Sequence, residues 1–191
     1  MGDAGATGEG GSAGDVAEMR GQIAALLPEL RGFARFLVRD RGAADDLVQD
    51  GLVRALGALH QFEAGTNLKA WLFTILRNAF YENIRRRRRE SSLLEAGGAE
   101  LLSERSAVEM RTDVMDLQSL IWTLPPLLRE ALILVGAQEM TYEEAAQVCN
   151  VPVGTIKARV SRGRSALATA LRQAEGPAEG KAGGVHGKGD T

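Results

Sequence analysis

The stretch of sequence that decides the fold is TYEEAAQVCNVPVGTIKARVSRGRSALATALR, residues 141–172. Thr141 and Glu144 have the spacing of a capping box, so a helix is expected to begin at Tyr142. The Asn-Val-Pro sequence at 150–152 breaks the helical period and predicts a turn. A second, longer helix follows, and the stretch therefore predicts a helix-turn-helix.

The second helix of this motif has one apolar stripe, and its other charged positions are basic. Apolar or small residues recur three and four positions apart, which places on the core side Ile156, Val160, Gly163, Leu167 and Leu171. No acidic residue interrupts the basic set of Lys157, Arg159, Arg162, Arg164 and Arg172. This pattern is typical of a helix that lies in the major groove of DNA. The alternative is a solvated helix of a bundle, although such a face usually mixes both signs of charge.

Length and composition limit the class of protein. A chain of 191 residues that is 45% hydrophobic can bury one ordinary core or two small ones. No apolar run approaches the ~20 residues of a membrane span, and the N-terminus lacks the order of a signal peptide. Cys149 is the single cysteine, and with two histidines it predicts neither a disulfide framework nor a metal site. We therefore expect a cytoplasmic protein without a cofactor and without a membrane partner.

The formal net charge of -2 hides an uneven distribution of charge. Residues 69–89 carry seven basic side chains against Glu82 alone, whereas 90–118 carry seven acidic side chains against two arginines. Such blocks indicate a nucleic-acid contact in the first of these segments.

The first half of the chain predicts helices after a disordered tail at 1–15. The apolar period of 17–38 passes through Pro28, which either kinks one helix or starts another. A helix at 43–59 is expected to turn inward Leu47, Val48, Leu52, Val53, Leu56 and Leu59. Its other face carries Asp45, Asp46, Gln49 and Asp50. Asp45 and Asp46 could be present only because acidic side chains near the N-terminus of a helix interact favourably with the helix dipole. Catalysis is disfavoured because no His, Lys or metal cluster accompanies them.

The next helix carries aromatic residues on two sides. A loop at 61–67 precedes it, with Thr66 or Asn67 as the N-cap. Aromatic side chains lie among basic ones and ahead of five consecutive arginines at 85–89, a combination suited to stacking on unpaired bases. The alternative is a central helix buried on two sides by the two helices before it, which concerns Trp71 and Phe73 most.

Together these patterns predict an all-α protein with two small helical domains. The first domain is expected at 16–89 and the second, with the helix-turn-helix, at 113–174. A flexible, acidic linker is expected at 90–112, because that segment loses the helical period and contains Gly97-Gly98. A second disordered tail is expected at 175–191.

Four stretches carry a resemblance to a known family: AADDLVQD at 43–50, FEAGTNLKAWLFTILRN at 62–78, LPPLLREALILV at 124–135 and the helix-turn-helix itself. Over 26–171 the chain resembles bacterial RNA polymerase sigma factors of the extracytoplasmic-function type. It is most similar to the general-stress-response branch, whose members are held by a small anti-sigma protein. A phosphorylated response regulator with a sigma-like decoy domain releases them.

The resemblance implies three binding surfaces and no enzymatic activity. Core RNA polymerase would be bound by Asp45, Asp46, Gln49 and Asp50. The start-proximal promoter element would be captured as a single strand by Phe62, Asn67, Lys69, Trp71, Arg77, Tyr81, Arg85 and Arg88. The upstream element would be read as duplex, with base edges contacted by Lys157, Ala158, Ser161 and Arg162 and phosphates by Thr155, Arg159 and Arg164.

Two other classes of protein remain as alternatives. An ordinary helix-turn-helix regulator would leave the acidic and the aromatic-basic helices without a role. A sigma-like decoy or adaptor would lack the second DNA-reading element or carry a receiver domain. Because exposed apolar faces are costly, we expect the free protein to be compact or sequestered by a partner.

Overall fold

The computed structural model of the chain describes residues 13–63, 65–94 and 117–175. In these ranges the regular structure is helical, as predicted, and no strand is present. Residues 1–12, 95–116 and 176–191, which include most of the predicted tails and linker, lie outside the described residues. The helices are α1 (Ala13–Ala25), α2 (Leu27–Leu37), α3 (Arg41–Gly57), α4 (Leu68–Leu94), α5 (Leu117–Thr123), α6 (Pro126–Leu132), α7 (Tyr142–Cys149) and α8 (Val153–Glu175), with a 3₁₀ turn at Leu59–Gln61 and a π-helical turn at Ile133–Ala137.

Pro28 marks the start of a new helix and not a kink within one. α1 ends at Ala25, and α2 begins at Leu27 with the proline in its first turn. Proline is tolerated there because the first N–H groups of a helix have no partner within the helix. α1 begins at Ala13, so the helix includes three residues of the stretch expected to be a tail.

The first domain is α1–α4, with α4 packed against α2 and α3. Phe33 of α2 stacks on Phe73 of α4 with 5.0 Å between ring centroids, and neither ring is exposed. α3 approaches α4 at Gly51, where a Cβ atom would come within 2.9 Å of Leu76 Cδ1. The absence of a side chain at Gly51 therefore allows the two helices to pack closely.

The predicted inward face of α3 is wrong at two positions. Val53 is 71% exposed and Leu56 is 46% exposed. By the helical period, Val53 lies about 180° around the helix from Ala44, which is buried. α4 and α2 cover a narrower stripe than the apolar pattern suggests, formed by Ala44, Leu47, Val48, Gly51 and Ala55.

α3 begins two residues earlier than predicted because Asp40 caps it. The Asp40 Oδ1 atom accepts a hydrogen bond from the Ala43 N–H at 2.8 Å. Asp45 and Asp46 consequently lie beyond the first turn of the helix, which contains no acidic residue. The alternative that these two carboxylates only serve the helix dipole is therefore wrong, since that effect is confined to the first turn.

α4 has 27 residues and continues five residues past the boundary predicted at 89. Asn67, and not Thr66, caps it, because Asn67 Oδ1 accepts from the Ala70 N–H at 3.0 Å. The expectation that this helix could be buried on two sides holds for Phe73. Phe73 stacks on Phe33 of α2, one of the helices that precede α4, and α7 of the second domain covers a further part of α4.

The second domain has the predicted helix-turn-helix in α7 and α8. The capping box is confirmed: Glu144 N–H donates to Thr141 Oγ1 at 3.1 Å, and Thr141 N–H donates to Glu144 Oε2 at 2.7 Å. Asn150 ends α7 in the left-handed region, with φ of 51°. Asn tolerates this region better than most residues, and the turn can therefore close before α8 begins.

The apolar stripe of α8 is confirmed in its first half. Ile156 and Val160 are buried, and Gly163 packs so tightly that a Cβ atom there would lie 2.8 Å from Leu132 Cδ1. Leu171, in contrast, is 36% exposed. The prediction of an inward Leu171 is wrong because the C-terminal turns of α8 extend past the short helices that cover its beginning.

The two domains pack against each other. α4 lies along α7, and α2 contacts α6 and the π-helical turn. One continuous cluster of buried residues includes members of both domains. The arrangement is the compact one expected for the free protein, and it sets one face of α4 against the second domain.

Candidate nucleic-acid and polymerase interfaces

The acidic face of α3 is open to solvent. Asp45, Asp46 and Gln49 are exposed, and Asp50 is half-buried. Asp50 accepts a hydrogen bond from Arg54 Nε at 3.1 Å, and the same guanidinium pairs with Glu82 of α4. Hydrogen bonds to Glu82 and Asp50 raise the pKa of Arg54. The structure thus brings the four residues predicted for polymerase onto one face and ties Asp50 to α4.

Exposed apolar side chains border this acidic face. Val53 and Leu56, which the sequence analysis places in the core, follow Asp50 within two turns of α3 and reach solvent. The signal that could have identified them is the small-residue stripe of Ala44, Gly51 and Ala55, which marks the true contact side of the helix. Exposed apolar side chains beside polar ones are typical of a protein-binding surface.

The residues predicted for strand capture begin in the loop before α4. The Phe62 ring packs on Trp71 with 5.3 Å between centroids, and both are half-buried. Asn67 is exposed, caps α4 through its oxygen and donates its Nδ2 to Glu144 of α7. Lys69 donates to the Gln138 carbonyl at 2.7 Å and pairs with Glu29. Both polar side chains thus contact the second domain.

Arg77, Tyr81 and Glu130 form a cluster between the domains, here named the Glu130 cluster. Arg77 Nε donates to Glu130 Oε1 at 2.7 Å, and the Tyr81 hydroxyl donates to Oε2 at 3.4 Å. The Arg77 guanidinium lies over the Tyr81 ring at 4.6 Å. Glu130 is only 2% exposed, so these partners supply the hydrogen bonds that its buried oxygens need.

The electrostatics of the Glu130 cluster follow from burial beside a carboxylate. Burial lowers the pKa of Arg77, but the charge and hydrogen bond of Glu130 raise it by more, so the net change is upward. Burial and the charge of Glu130 both raise the pKa of Tyr81. Cys149 lies in the same surroundings, and burial raises its pKa to about 12. Arg77 therefore remains a cation and Tyr81 a neutral donor at physiological pH.

The arginine run at 85–89 is exposed along α4. Arg85 and Arg88, both predicted to follow the DNA backbone, also border a groove of about 470 Å³ between α2, α4 and α6. An ion pair within the run joins Arg86 to Glu90 at 3.8 Å. This end of α4 is open, in contrast to the end that contains Lys69 and Arg77.

The residues predicted to read duplex lie on the outer side of α8. Lys157, Ala158, Ser161, Arg162 and Arg164 are exposed, and Thr155 is half-buried. Arg162 Nε donates to the Ala158 carbonyl of its own helix at 3.3 Å. Arg159 differs from this set, because it is half-buried and its Nη1 is buried without a hydrogen-bond partner.

The acceptors that meet α4 from the second domain are not among the site residues predicted from the sequence. Glu130 and Glu144 supply carboxylates, and Gln138 supplies a backbone carbonyl. Glu130 has a sequence signal, since it is the one acid in the apolar helix and turn at 126–137. Among the described residues, no cluster of metal-binding side chains is present, and no helix has the length and apolarity to cross a membrane.

Comparison with known families matches both domains. A sigma-70 region 2 model matches residues 23–90, and a sigma-70 region 4 model matches 115–167. The chain is 44% identical over 153 residues to the ECF RNA polymerase sigma factor EcfG of Rhodopseudomonas palustris, covering 80% of this chain and 84% of that protein. It is 36% identical over 129 residues to the ECF sigma factor SigC of Mycobacterium tuberculosis, with 67% of this chain and 70% of the relative covered.

A solved structure also matches. The sigma factor RpoE of Bartonella quintana, determined in complex with the anti-sigma factor NepR, has a TM-score of 0.68 and 41% identity to the chain. The match covers 81% of this chain and 97% of that one. With both domains and these relatives matched, the chain belongs to the extracytoplasmic-function sigma factors of bacterial RNA polymerase.

Proposed function

We propose that this sigma factor binds core RNA polymerase through α3, captures the start-proximal promoter strand with α4 and reads the upstream element with α8. The observation that carries the proposal is the presence of two basic surfaces of different chemistry in one chain. One surface combines aromatic rings with cations on α4, and the other is an exposed basic face on a recognition helix. This function requires no covalent step and no cofactor.

The proposed polymerase surface consists of the acids of α3 and the apolar side chains beside them. Asp46 and Gln49 are exposed, Asp45 is exposed and pairs with Arg31 at 3.9 Å, and Asp50 is held in place by Arg54. Val53 supplies an apolar centre that polymerase can desolvate. Charge reversal at Asp46 should abolish binding to core in a pull-down, because a charge mismatch in a buried interface costs several kcal/mol.

The proposed strand-capture surface extends from Phe62 to the arginine run of α4. Stacking on Phe62, Trp71 and Tyr81 would hold unpaired bases, while Lys69 and Arg77 would donate to the strand. Arg85 and Arg88 would follow its phosphates. Single-strand capture of this kind stabilises a melted promoter without a chemical reaction.

The proposed duplex surface is the outer side of α8. Lys157 and Arg162 are long donors suited to guanine, and Ala158 and Ser161 allow the helix to approach the bases closely. Thr155 and Arg164 are placed to contact phosphate. Arg159 stays a proposed phosphate ligand, but it must rotate out of its half-buried position to reach one.

We further propose control by a small anti-sigma protein, as in the NepR complex of the Bartonella relative. The general-stress-response role rests on the similarity to EcfG. The groove beside Arg85 and Arg88 has an apolar floor and a basic rim, and its chemistry suits an acidic amphipathic helix. Its lining includes Phe36, Leu37, Phe80, Tyr81, Ile84, Pro126, Leu127 and Arg129. Because core polymerase is a cytoplasmic assembly, the chain acts in the cytoplasm.

Run-off transcription with purified core polymerase tests the proposed function. Promoter-specific transcripts that require the chain are the expected result. Binding to duplex DNA without any transcript would instead support an ordinary helix-turn-helix regulator. Binding to an anti-sigma protein without binding to core would support a sigma-like decoy.

A further inference from the structure

Arg129 of α6 is a buried cation without a carboxylate partner. It is 8% exposed, and none of the ion pairs among the described residues includes it. Its Nη1 donates to the Trp122 carbonyl at a long 3.4 Å, and the guanidinium lies over the Trp122 ring at 3.9 Å. Burial lowers the pKa of Arg129, although Tyr81 and Glu130 act in the opposite direction. Because buried charges in proteins are usually paired, Arg129 has unused capacity to bind an anion.

Arg129 forms part of the wall of the groove between α2, α4 and α6. The volume of the groove, about 470 Å³, is in the range of about 300–1,000 Å³ that is usual for small-molecule sites. Arg85 and Arg88 are exposed and border the same groove. Apart from Tyr81, whose hydroxyl donates to Glu130, the rest of the lining is apolar. None of the described residues that line the groove is acidic.

This lining favours a ligand with one anionic end and an apolar body. A carboxylate matches a guanidinium, because the two planar groups can form paired, charge-assisted hydrogen bonds. The apolar body of such a ligand would be removed from water by side chains such as Phe36, Phe80 and Leu127. A nucleotide fits less well, because its base and sugar carry polar groups that an apolar lining leaves without hydrogen bonds.

We propose that the groove binds a long-chain carboxylate, that is, a fatty acid. The carboxylate pairs with Arg129, and the alkyl chain lies along the apolar side chains of α2, α4 and α6. Arg85 and Arg88 add positive potential at the edge of the groove and attract the anion.

The consequence for regulation rests on the proposed control by an anti-sigma protein. A fatty acid in the groove and an acidic helix docked on the same groove would exclude each other. The fatty acid would therefore weaken the hold of the anti-sigma protein on the sigma factor.

Titration calorimetry of the full-length protein with sodium dodecanoate, below the concentration at which micelles form, tests the proposal. We expect saturable binding at a single site. Decanoate is two methylenes shorter and should bind about tenfold more weakly, because each buried methylene contributes about fourfold to the affinity. Dodecyltrimethylammonium carries the same alkyl chain on a cationic head group, and it should bind at least about tenfold more weakly than dodecanoate.

The variant Arg129→Met removes the charge and retains a long apolar side chain. The affinity for dodecanoate should fall about tenfold or more, because a hydrogen bond between two charged groups is lost. Replacing a buried charge with an apolar side chain is often tolerated, and circular dichroism checks that the variant is folded. The control is Arg35→Met, which removes an exposed arginine of α2 and should leave the affinity unchanged.

A second variant, Leu127→Glu, keeps the test decisive if Arg129→Met does not fold. Leu127 lines the groove, is 44% exposed and lies in the first turn of α6, where an acidic side chain is favourable. The new carboxylate should repel that of the ligand and weaken dodecanoate binding about tenfold.

Any of three results would overturn the proposal. The first is that dodecanoate shows no saturable binding, and the second is that the anionic and cationic amphiphiles bind equally well. The third is that a folded Arg129→Met or Leu127→Glu variant binds dodecanoate as tightly as the unsubstituted protein. None of these results bears on whether an anti-sigma protein binds the chain, so a failure of this proposal is distinct from a failure of the proposed function.

Discussion

The two basic helices of this sigma factor look alike in sequence and differ in what their arginines contact. Arg77 of α4 is half-buried and paired with Glu130 of the other domain. Arg162 of α8 is exposed and donates to a carbonyl of its own helix. A run of basic residues therefore indicates affinity for nucleic acid, but it does not indicate whether the charges are accessible in the free protein.

The largest expected effect is on folding stability. Arg77→Ala leaves Glu130 buried without its cation, and the free energy of unfolding should fall by about 3 kcal/mol. Arg162→Ala removes an exposed side chain and should change it by less than about 0.5 kcal/mol. Urea denaturation of both variants measures the difference. Equal free energies of unfolding for the two variants would show that the Arg77–Glu130 pair does not stabilise the fold.

Arg162 and its neighbour Arg164 should differ in how they affect the reading of the DNA sequence. Arg162→Ala should weaken binding to the preferred upstream element by about 1–3 kcal/mol and relax the choice of base. Arg164→Ala should instead weaken all sequences alike and lower the salt slope by about one. Selection from a randomised upstream element checks both. If base preference changes only with Arg164→Ala, the proposed orientation of α8 in the groove is wrong.

A smaller effect is expected at the open end of α4. Replacing Arg85 and Arg88 with alanine should leave stability unchanged, because both side chains are exposed. The salt slope for single-strand binding should fall by about 0.7 for each phosphate that the variant no longer neutralises. Titrations at several salt concentrations give the slope. An unaltered slope would place the strand elsewhere on the first domain.

The smallest expected effect is a pH dependence from Glu144. Hydrogen bonds from the Thr141 backbone, and then from Thr141 and Asn67 side chains, hold the pKa of this carboxyl below its ordinary 4.5. Because the folded-state pKa is depressed, the stability from Glu144 is fully present above pH 4.5 and is lost as pH falls through the folded value. Glu144→Gln should reduce the loss of stability with falling pH in this range of the acid unfolding curve. A curve identical to that of the unsubstituted protein would contradict the prediction.

The fold could be predicted from sequence where interactions between residues close together in the chain determine the local structure. The capping box of Thr141 and Glu144 defines the start of α7, and the Asn150 turn follows from Pro152 and the broken period. The apolar face of α8 is equally predictable at Ile156, since its spacing leaves one face for the core. In these cases the residues that determine the structure are neighbours along the chain.

The predictions from sequence fail where an element that is distant along the chain determines whether a side chain is buried or paired. Val53 is apolar and fits the helical period, yet α4 does not reach it. Leu171 fits the stripe of α8, but no helix among the described residues extends far enough to cover it. The pairing of Arg77 with Glu130 spans 53 positions and depends on how two domains dock, which no local pattern reports.

The burial of the single cysteine bears on how this chain can receive a signal. Cys149 is 3% exposed, and its pKa of about 12 keeps it a protonated thiol at neutral pH. Oxidants and alkylating agents attack the thiolate, and they need access to it. The single thiol of this chain is therefore poorly suited to sense oxidants directly.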